Sequence, residues 1–396
     1  MFLYLFPYKF TESFYKKHQI DILQKRLKTK VEIHDLSNIL NKKWNRAFLE
    51  KGHKAAKVFN SIKEWKTYFY NIQKKEKKIY VVNLLNINSF NSILIHRLLN
   101  KSKVKILQFC SPEVCIDTTM EKKSFFKKIV RAFELLFMNP LRLIFVIKTF
   151  IYRKIINFLN YNDLYIFYAG KKKYIRPHLK SKRKKYINFN TQDYSNFLLN
   201  KRHRTYNKKN YIVFLDAPTP YFVGDKQLFK YKINYDTKKW YDNLNTFLKN
   251  IEKKFKSKVI IVPHPRVMKL RNPYYDKRFE VRTDIGATSK LVPNSKFVIA
   301  ISSTTAVSYC VLNYKKILLI FNDQIKQKNP RVMSDLIYMS KVLKLNLINI
   351  NNYIKNKKLL FSLNKKVYEA YKFNYLTSKK VRNKLNVDIF NNILTN

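Results

Sequence analysis

Two short polar stretches carry the residue types that could hold an anion. His264-Pro265 interrupts KVIIVPHPRV, and Ser302-Ser303-Thr304-Thr305 interrupts KFVIAISSTTAVSYCVL. An imidazole and a row of hydroxyls can donate several hydrogen bonds to one phosphoryl group. Taken singly, a His-Pro pair after a strand serves as a turn, and a Ser/Thr run serves as a helix cap. Both pairs follow apolar runs, however, and two such edges side by side would make one binding site.

The elements that must position these residues are strands. Residues 259–262, 297–300 and 317–321 have the length and composition of buried parallel strands, with room between them for crossover helices. In an open parallel sheet, ligands bind outside the carboxyl ends of the strands, which is where both polar stretches fall. The Ser/Thr junction is also expected to open a helix, its hydroxyls capping the AVSYCVL segment. Upstream, residues 1–6, 31–37, 78–84, 104–109, 164–170 and 185–190 read as strands, with helices expected over 12–27, from Asp35 or Ser37 onward, and over 90–99. That alternation predicts an α/β chain. The basic, aperiodic segment 201–210 reads as a connector, dividing an N-terminal domain (1–200) from a C-terminal one (211–396). The second domain opens with YIVFLDAPTP, continues with a helix over 236–255, and ends with a strand at 345–350 and terminal helices.

Several chemistries are excluded by composition. The four glycines, Gly52, Gly170, Gly224 and Gly286, are too sparse for either GxGxxG or GxxxxGK[ST], so no glycine-rich loop cradles a phosphate. HExxH, GxSxG and DxD are absent, and Cys110, Cys115 and Cys310 build neither a disulfide framework nor a zinc ligand set. No metal and no cofactor is expected. The formal charge of +56 is mostly lysine spread along the whole chain, and it accompanies abundant Asn, Ile, Tyr and Phe. It favours an anionic surface as partner rather than a specific nucleic-acid site, for which no helix-turn-helix, zinc finger or RNP-type motif is present. Within residues 122–160, basic and apolar side chains interleave at helical spacing, but Arg131, Glu134, Arg142, Lys148, Arg153 and Lys154 deny the segment about 20 consecutive apolar residues. It reads as a pair of helices that lie on an anionic membrane or, alternatively, pack as core with snorkelling lysines.

The pattern HPR, a spacer, then FVIAISSTTA resembles the HP and SS/ST motifs of bacterial sialyltransferases and polysialyltransferases. More closely it resembles a group of surface-polysaccharide glycosyltransferase-like proteins whose second domain opens with a VFLD segment, here Val213 to Asp216. The resemblance covers residues 211–321 by motif and the first domain only by layout. It implies two Rossmann-like domains in a GT-B arrangement, with the nucleotide on the second. It further implies that His264, Ser302 and Ser303 hold the donor phosphate, with Pro265, Thr304 and Asp216 in the same binding set. Those families carry an acidic D/E-D/E-G motif in the first domain that is missing here. Glu113 and Asp193, which both follow first-domain strands, are the candidate bases in its place.

The expected function is therefore a metal-independent, inverting glycosyltransferase using a nucleotide-sugar such as CMP-sialic acid. Its expected acceptor is a polysaccharide or lipid-linked glycan, and its place is cytoplasmic and peripheral on the inner face of the membrane. A phosphotransferase using a CDP-alcohol would need the same phosphate site, and a basic nucleic-acid-binding protein is the alternative from another class.

Overall fold

The computed structural model describes residues 1–27, 29–42, 45, 50–86, 89–110, 115, 137, 140–158, 164–172, 175, 184–201, 210–222, 233–265, 267–353 and 363–395. Two parallel sheets organise them. The first contains β1 (Phe2–Phe6), β2 (Val31–Asp35), β3 (Ala56–Val58), β4 (Tyr80–Asn83), β5 (Lys105–Phe109), β6 (Leu164–Tyr168) and β7 (Lys185–Asn188), in the order β3-β2-β1-β4-β5-β6-β7. The second contains β8 (Tyr211–Leu215), β9 (Lys258–Val262), β10 (Glu280–Val281), β11 (Val298–Ala300), β12 (Ile317–Phe321) and β13 (Leu347–Asn349), in the order β10-β9-β8-β11-β12-β13. Every recorded strand pair in both sheets is parallel. The chain is thus α/β with two Rossmann-like sheets, each wound outward in both directions from its first strand.

The central strands are apolar because both of their faces are covered. FLYLF of β1 and YIVFL of β8 are buried at every position. On one face of the second sheet, Trp240, Leu244, Phe247, Leu248 and Ile251 of the helix Thr237–Phe255 meet Ile212, Phe214 and Ile261. This helix begins where expected, since the Asp236 carboxylate accepts from the Lys239 N–H at 3.0 Å. On the other face, Val213, Leu215 and Val298 pack with Val307, Val311 and Tyr371.

Some local expectations are corrected. The predicted helix over 12–27 is two helices, Glu12–Lys17 and Ile20–Leu27, broken at Gln19, whose φ is 53°. Gln19 is only 3 % exposed, and its amide joins Asn196 (2.7 Å) and Ser195 (3.1 Å), so a long-range tether sets the break. The helix Ile62–Lys75 was not expected, although Trp65, Phe69 and Ile72 form a buried stripe along it.

The chain crosses between the two packed layers twice. Phe189 belongs to the core of the first sheet, whereas Tyr194 and Phe197, on the helix Gln192–Lys201, belong to that of the second. On the return, Tyr375 and Leu376 lie with the second sheet, and Val387 and Phe390 of the final helix Asn386–Thr395 pack on the first. Phe390 rests against Phe2, Phe167 and Phe189 at ring separations of 5.2–5.4 Å. The two crossings are tied by buried amides. Asn190 donates to the Lys384 carbonyl (2.7 Å) and accepts from the Thr377 hydroxyl (2.6 Å), while the Asn386 amide donates to the Asn190 carbonyl (3.2 Å).

Among the described residues, no helix is long and apolar enough to cross a membrane. The helix Pro140–Phe158 nevertheless leaves a stripe of large apolar side chains exposed: Leu141, Ile144, Ile147, Ile151 and Ile155, with Lys148 and Lys154 beside it. Their spacing of three and four residues puts them on one helix face. Phe145 is half-buried, and Phe126 lies outside the described residues.

Candidate functional site

The second sheet places the two motifs on one edge. Leu215 pairs with Val262 on one side and Ala300 on the other, so β8, β9 and β11 end level. Asp216, His264 and Ser302 therefore leave the sheet at its carboxyl edge. The winding reverses between β8 and β11, and the crevice outside such a reversal is where open α/β sheets bind ligands. Asp216 stands on one side of this crevice and Ser302 on the other. With about 4.8 Å between neighbouring strands, the strands carrying His264 and Ser302 lie about 10 Å apart, with β8 between them.

His264 is half-buried, Pro265 is exposed, and a turn closes beneath them as the Val267 N–H donates to the His264 carbonyl at 2.8 Å. Ser302, Ser303, Thr304 and Thr305 are all half-buried. The expected helix does follow, but it starts later than predicted and is short, Val307–Leu312, with Ala306 at its cap position and no side-chain cap. The four hydroxyl residues are spent on turning the chain back from β11. Thr304 braces the turn, its hydroxyl accepting from the Ala306 N–H (3.4 Å) and its carbonyl from the Val307 N–H (3.1 Å), and the Thr305 carbonyl accepts from the Ser308 N–H (2.9 Å). Among the described residues, the hydroxyls of Ser302 and Ser303 have no hydrogen-bond partner, which leaves them available to a ligand.

Asp216 differs from the others in being 3 % exposed. Its carboxylate accepts from the Ala217 N–H (2.8 Å) and from the Tyr275 hydroxyl, yet burial outweighs these donors and pushes its pKa up to about 7. Tyr275 has no signal in local spacing, being 59 residues away, but Tyr241 packs edge-on against it at 5.4 Å and completes an aromatic wall. The folded protein thus binds a proton at Asp216 that the unfolded chain, with a carboxyl near 3.8, releases earlier. Stability from this group is therefore highest at low pH and falls as pH rises from about 4 to about 7. Asp216→Asn should gain roughly 2–3 kcal/mol on the wild type between pH 5 and pH 8, at about 1.4 kcal/mol per pKa unit. Denaturant melts at the two pH values measure this, and equal differences at both would remove the buried titration.

The two candidate bases are not alike. Glu113 lies outside the described residues. Asp193 is in the first turn of the helix Gln192–Lys201 and 9 % exposed, and its charge adds a little to the burial that raises the Tyr371 phenol. It sits inside the packed junction and not on an open surface. Among the described residues, no three His, Cys, Asp or Glu side chains gather as a metal-ligand set. All three cysteines are buried thiols, and burial pushes Cys115 up to about 12, far from a reactive thiolate.

No family model matches the chain, and no curated protein sequence matches it. Among solved structures, the whole chain superposes on 89 % of the wall teichoic acid polymerase TagF, with 11 % identity and a TM-score of 0.46. It covers 94 % of a UDP-glucose:anthocyanidin 3-O-glucosyltransferase in complex with UDP (9 % identity, TM-score 0.45) and 99 % of MurG from Acinetobacter baumannii (8 %, 0.43).

Proposed function

We propose that this protein is a glycosyltransferase of GT-B arrangement that moves a sugar from a nucleotide donor with inversion and without a metal. The observation that carries this reading is the level ending of β8, β9 and β11, which gathers His264, Ser302 and Ser303 around the crevice of a nucleotide-binding type of sheet. As the bond between sugar and phosphate breaks, negative charge grows on the leaving oxygen. The His264 imidazole and the Ser302 and Ser303 hydroxyls stabilise that charge more than they stabilise the ground state. Pro265 and Thr304 shape the two loops, and the raised pKa of Asp216 lessens the opposing charge at the edge of the site. A carboxylate of the first domain takes the acceptor's proton. CMP-sialic acid or a related sugar is the donor favoured by the HP and SS motifs, with a surface polysaccharide or glycolipid as product.

The experiment is a thermal-shift screen with CMP-, CDP-, UDP- and GDP-sugars, followed by product analysis. A ligand at about 100 times its Kd should stabilise by about 2.7 kcal/mol. Transfer of a phosphoalcohol instead of a sugar would replace the glycosyl reading with the CDP-alcohol one, and no shift with any of the four would remove both.

The acceptor is taken to be presented at an anionic membrane, because the Pro140–Phe158 helix exposes Leu141, Ile147 and Ile151 at 60 %, 48 % and 47 % beside Lys148 and Lys154. Replacing these three apolar residues by serine should release the protein from vesicles containing phosphatidylserine and leave its melting temperature unchanged. A lowered melting temperature with unchanged vesicle binding would assign the stripe to folding.

A further inference from the structure

The first sheet also reverses its winding, between β1 and β4, and the loop that leaves β1 there leads directly to Glu12. Three acids stand around this loop. Asp35 is 1 % exposed, with its two oxygens taken by the N–H groups of Phe10 (2.8 Å) and Ser37 (2.9 Å). Glu50 is bonded to Ser13 through both the N–H (3.3 Å) and the hydroxyl (3.0 Å). Glu12 is different, because its side chain is 42 % exposed and faces a histidine, His53 Nε2, at 3.0 Å.

His53 is built to hold that carboxylate. Its Nδ1 accepts from the Ala55 N–H at 3.1 Å, which leaves the proton on Nε2, pointing at Glu12. The ring stacks on Tyr15 at 4.2 Å and 14° and meets Phe10 edge-on at 6.0 Å, while a bridge between Thr11 and Gly52 joins the two segments. The His53 side chain is 12 % exposed. Lys16 lies 3.3 Å from the other Glu12 oxygen. A carboxylate has about four lone-pair directions, so two donors orient it and still leave it able to accept a proton.

The helix Glu12–Lys17 also reaches the layer of the second sheet at its carboxyl end. Its last carbonyl, that of Lys17, accepts from Asn196 at 3.1 Å on the helix Gln192–Lys201, and that helix packs against Val307–Leu312, the helix that follows the Ser302–Thr305 loop. We propose that Glu12, held by His53, is the general base that takes the acceptor's proton, which rests on the glycosyl-transfer reading above. The acceptor oxygen bonds to the anomeric carbon, its proton passes to Glu12, and the electron pair of the breaking sugar–phosphate bond stays on the nucleotide. Glu12 then returns the proton to solvent. His53 is a positioning residue.

The test uses the full chain and nucleotide release from CMP-N-acetylneuraminate, UDP-N-acetylglucosamine, GDP-mannose and CDP-glucose, alongside thermal shifts with CMP, UDP, GDP and CDP. Glu12→Gln keeps the His53 contact and removes the base, so release should fall by about 100-fold or more with the nucleotide shifts unchanged. His53→Ala should also slow release, and His53→Gln, which restores an N–H donor, should recover most of it, a rescue that a purely structural histidine would not show in the rate at constant melting temperature. If Glu12→Gln releases nucleotide within about fivefold of the wild type, Glu12 is not the base, and the glycosyl-transfer reading stands without it. If the wild type releases nucleotide from none of the four donors, the reading itself falls and the proposal falls with it.

Discussion

Gly170→Ala is expected to be the most destabilising single change that adds only one methyl group. Gly170 follows β6 at φ 69°, a left-handed conformation that costs a non-glycine residue about 1–2 kcal/mol. A Cβ there would press into the carbonyl of Asn374 and lie 2.7 Å from the Tyr375 nitrogen, both backbone atoms. They cannot yield freely. The Asn374 carbonyl accepts from the Lys171 N–H (3.0 Å), and Leu376 two residues on is bonded to Thr191 (2.9 Å), so this turn of π-helix, Lys372–Leu376, is clamped to the first sheet where the chain crosses back. Overpacking of this kind adds about 1–3 kcal/mol. The combined loss of roughly 2–5 kcal/mol should lower the melting temperature by several degrees. A variant melting within about 1 °C of the wild type would show that the two backbones can part at little cost.

That close approach marks a limit of what sequence can show. The runs that became β1, β8, β9 and β12 were legible because strands buried on both faces are apolar throughout, whatever their neighbours. β3 and β10 were not, because AKV and EV lie at sheet edges, largely exposed, and carry no such pattern. The stripe of Trp65, Phe69 and Ile72, by contrast, stands in the sequence at helical spacing. The residues of the proposed phosphate site were legible as types, but their meeting depends on which strands pair. The order placing β8 between β9 and β11, and so Asp216 between His264 and Ser302, is a long-range outcome that no local window contains. The same holds for Glu12 and His53, joined across a loop, and for Gln19, whose partners lie more than 170 residues away.

His264→Ala carries a large expected kinetic effect, because the imidazole is assigned to the negative charge that grows on the leaving phosphate as its bond to the sugar breaks. Losing one such donor should cost about 2.7–4 kcal/mol, or roughly 100-fold or more in turnover. Ser303→Ala should behave in the same way, because its hydroxyl braces nothing among the described residues and Ala306, not Ser303, stands at the head of the following helix. Thr304→Val supplies the contrast. It removes the hydroxyl that holds the Ala306 N–H, so up to about 1 kcal/mol of stability should be lost in the absence of ligand, with a smaller change in rate. Melting temperatures without nucleotide and turnover with saturating donor therefore separate the binding groups from the brace. Because the proposed mechanism meets the leaving charge with an imidazole and hydroxyls, turnover should also survive EDTA. Wild-type turnover in His264→Ala would free the leaving phosphate from this loop and shift its stabilisation to the β11 side of the crevice alone.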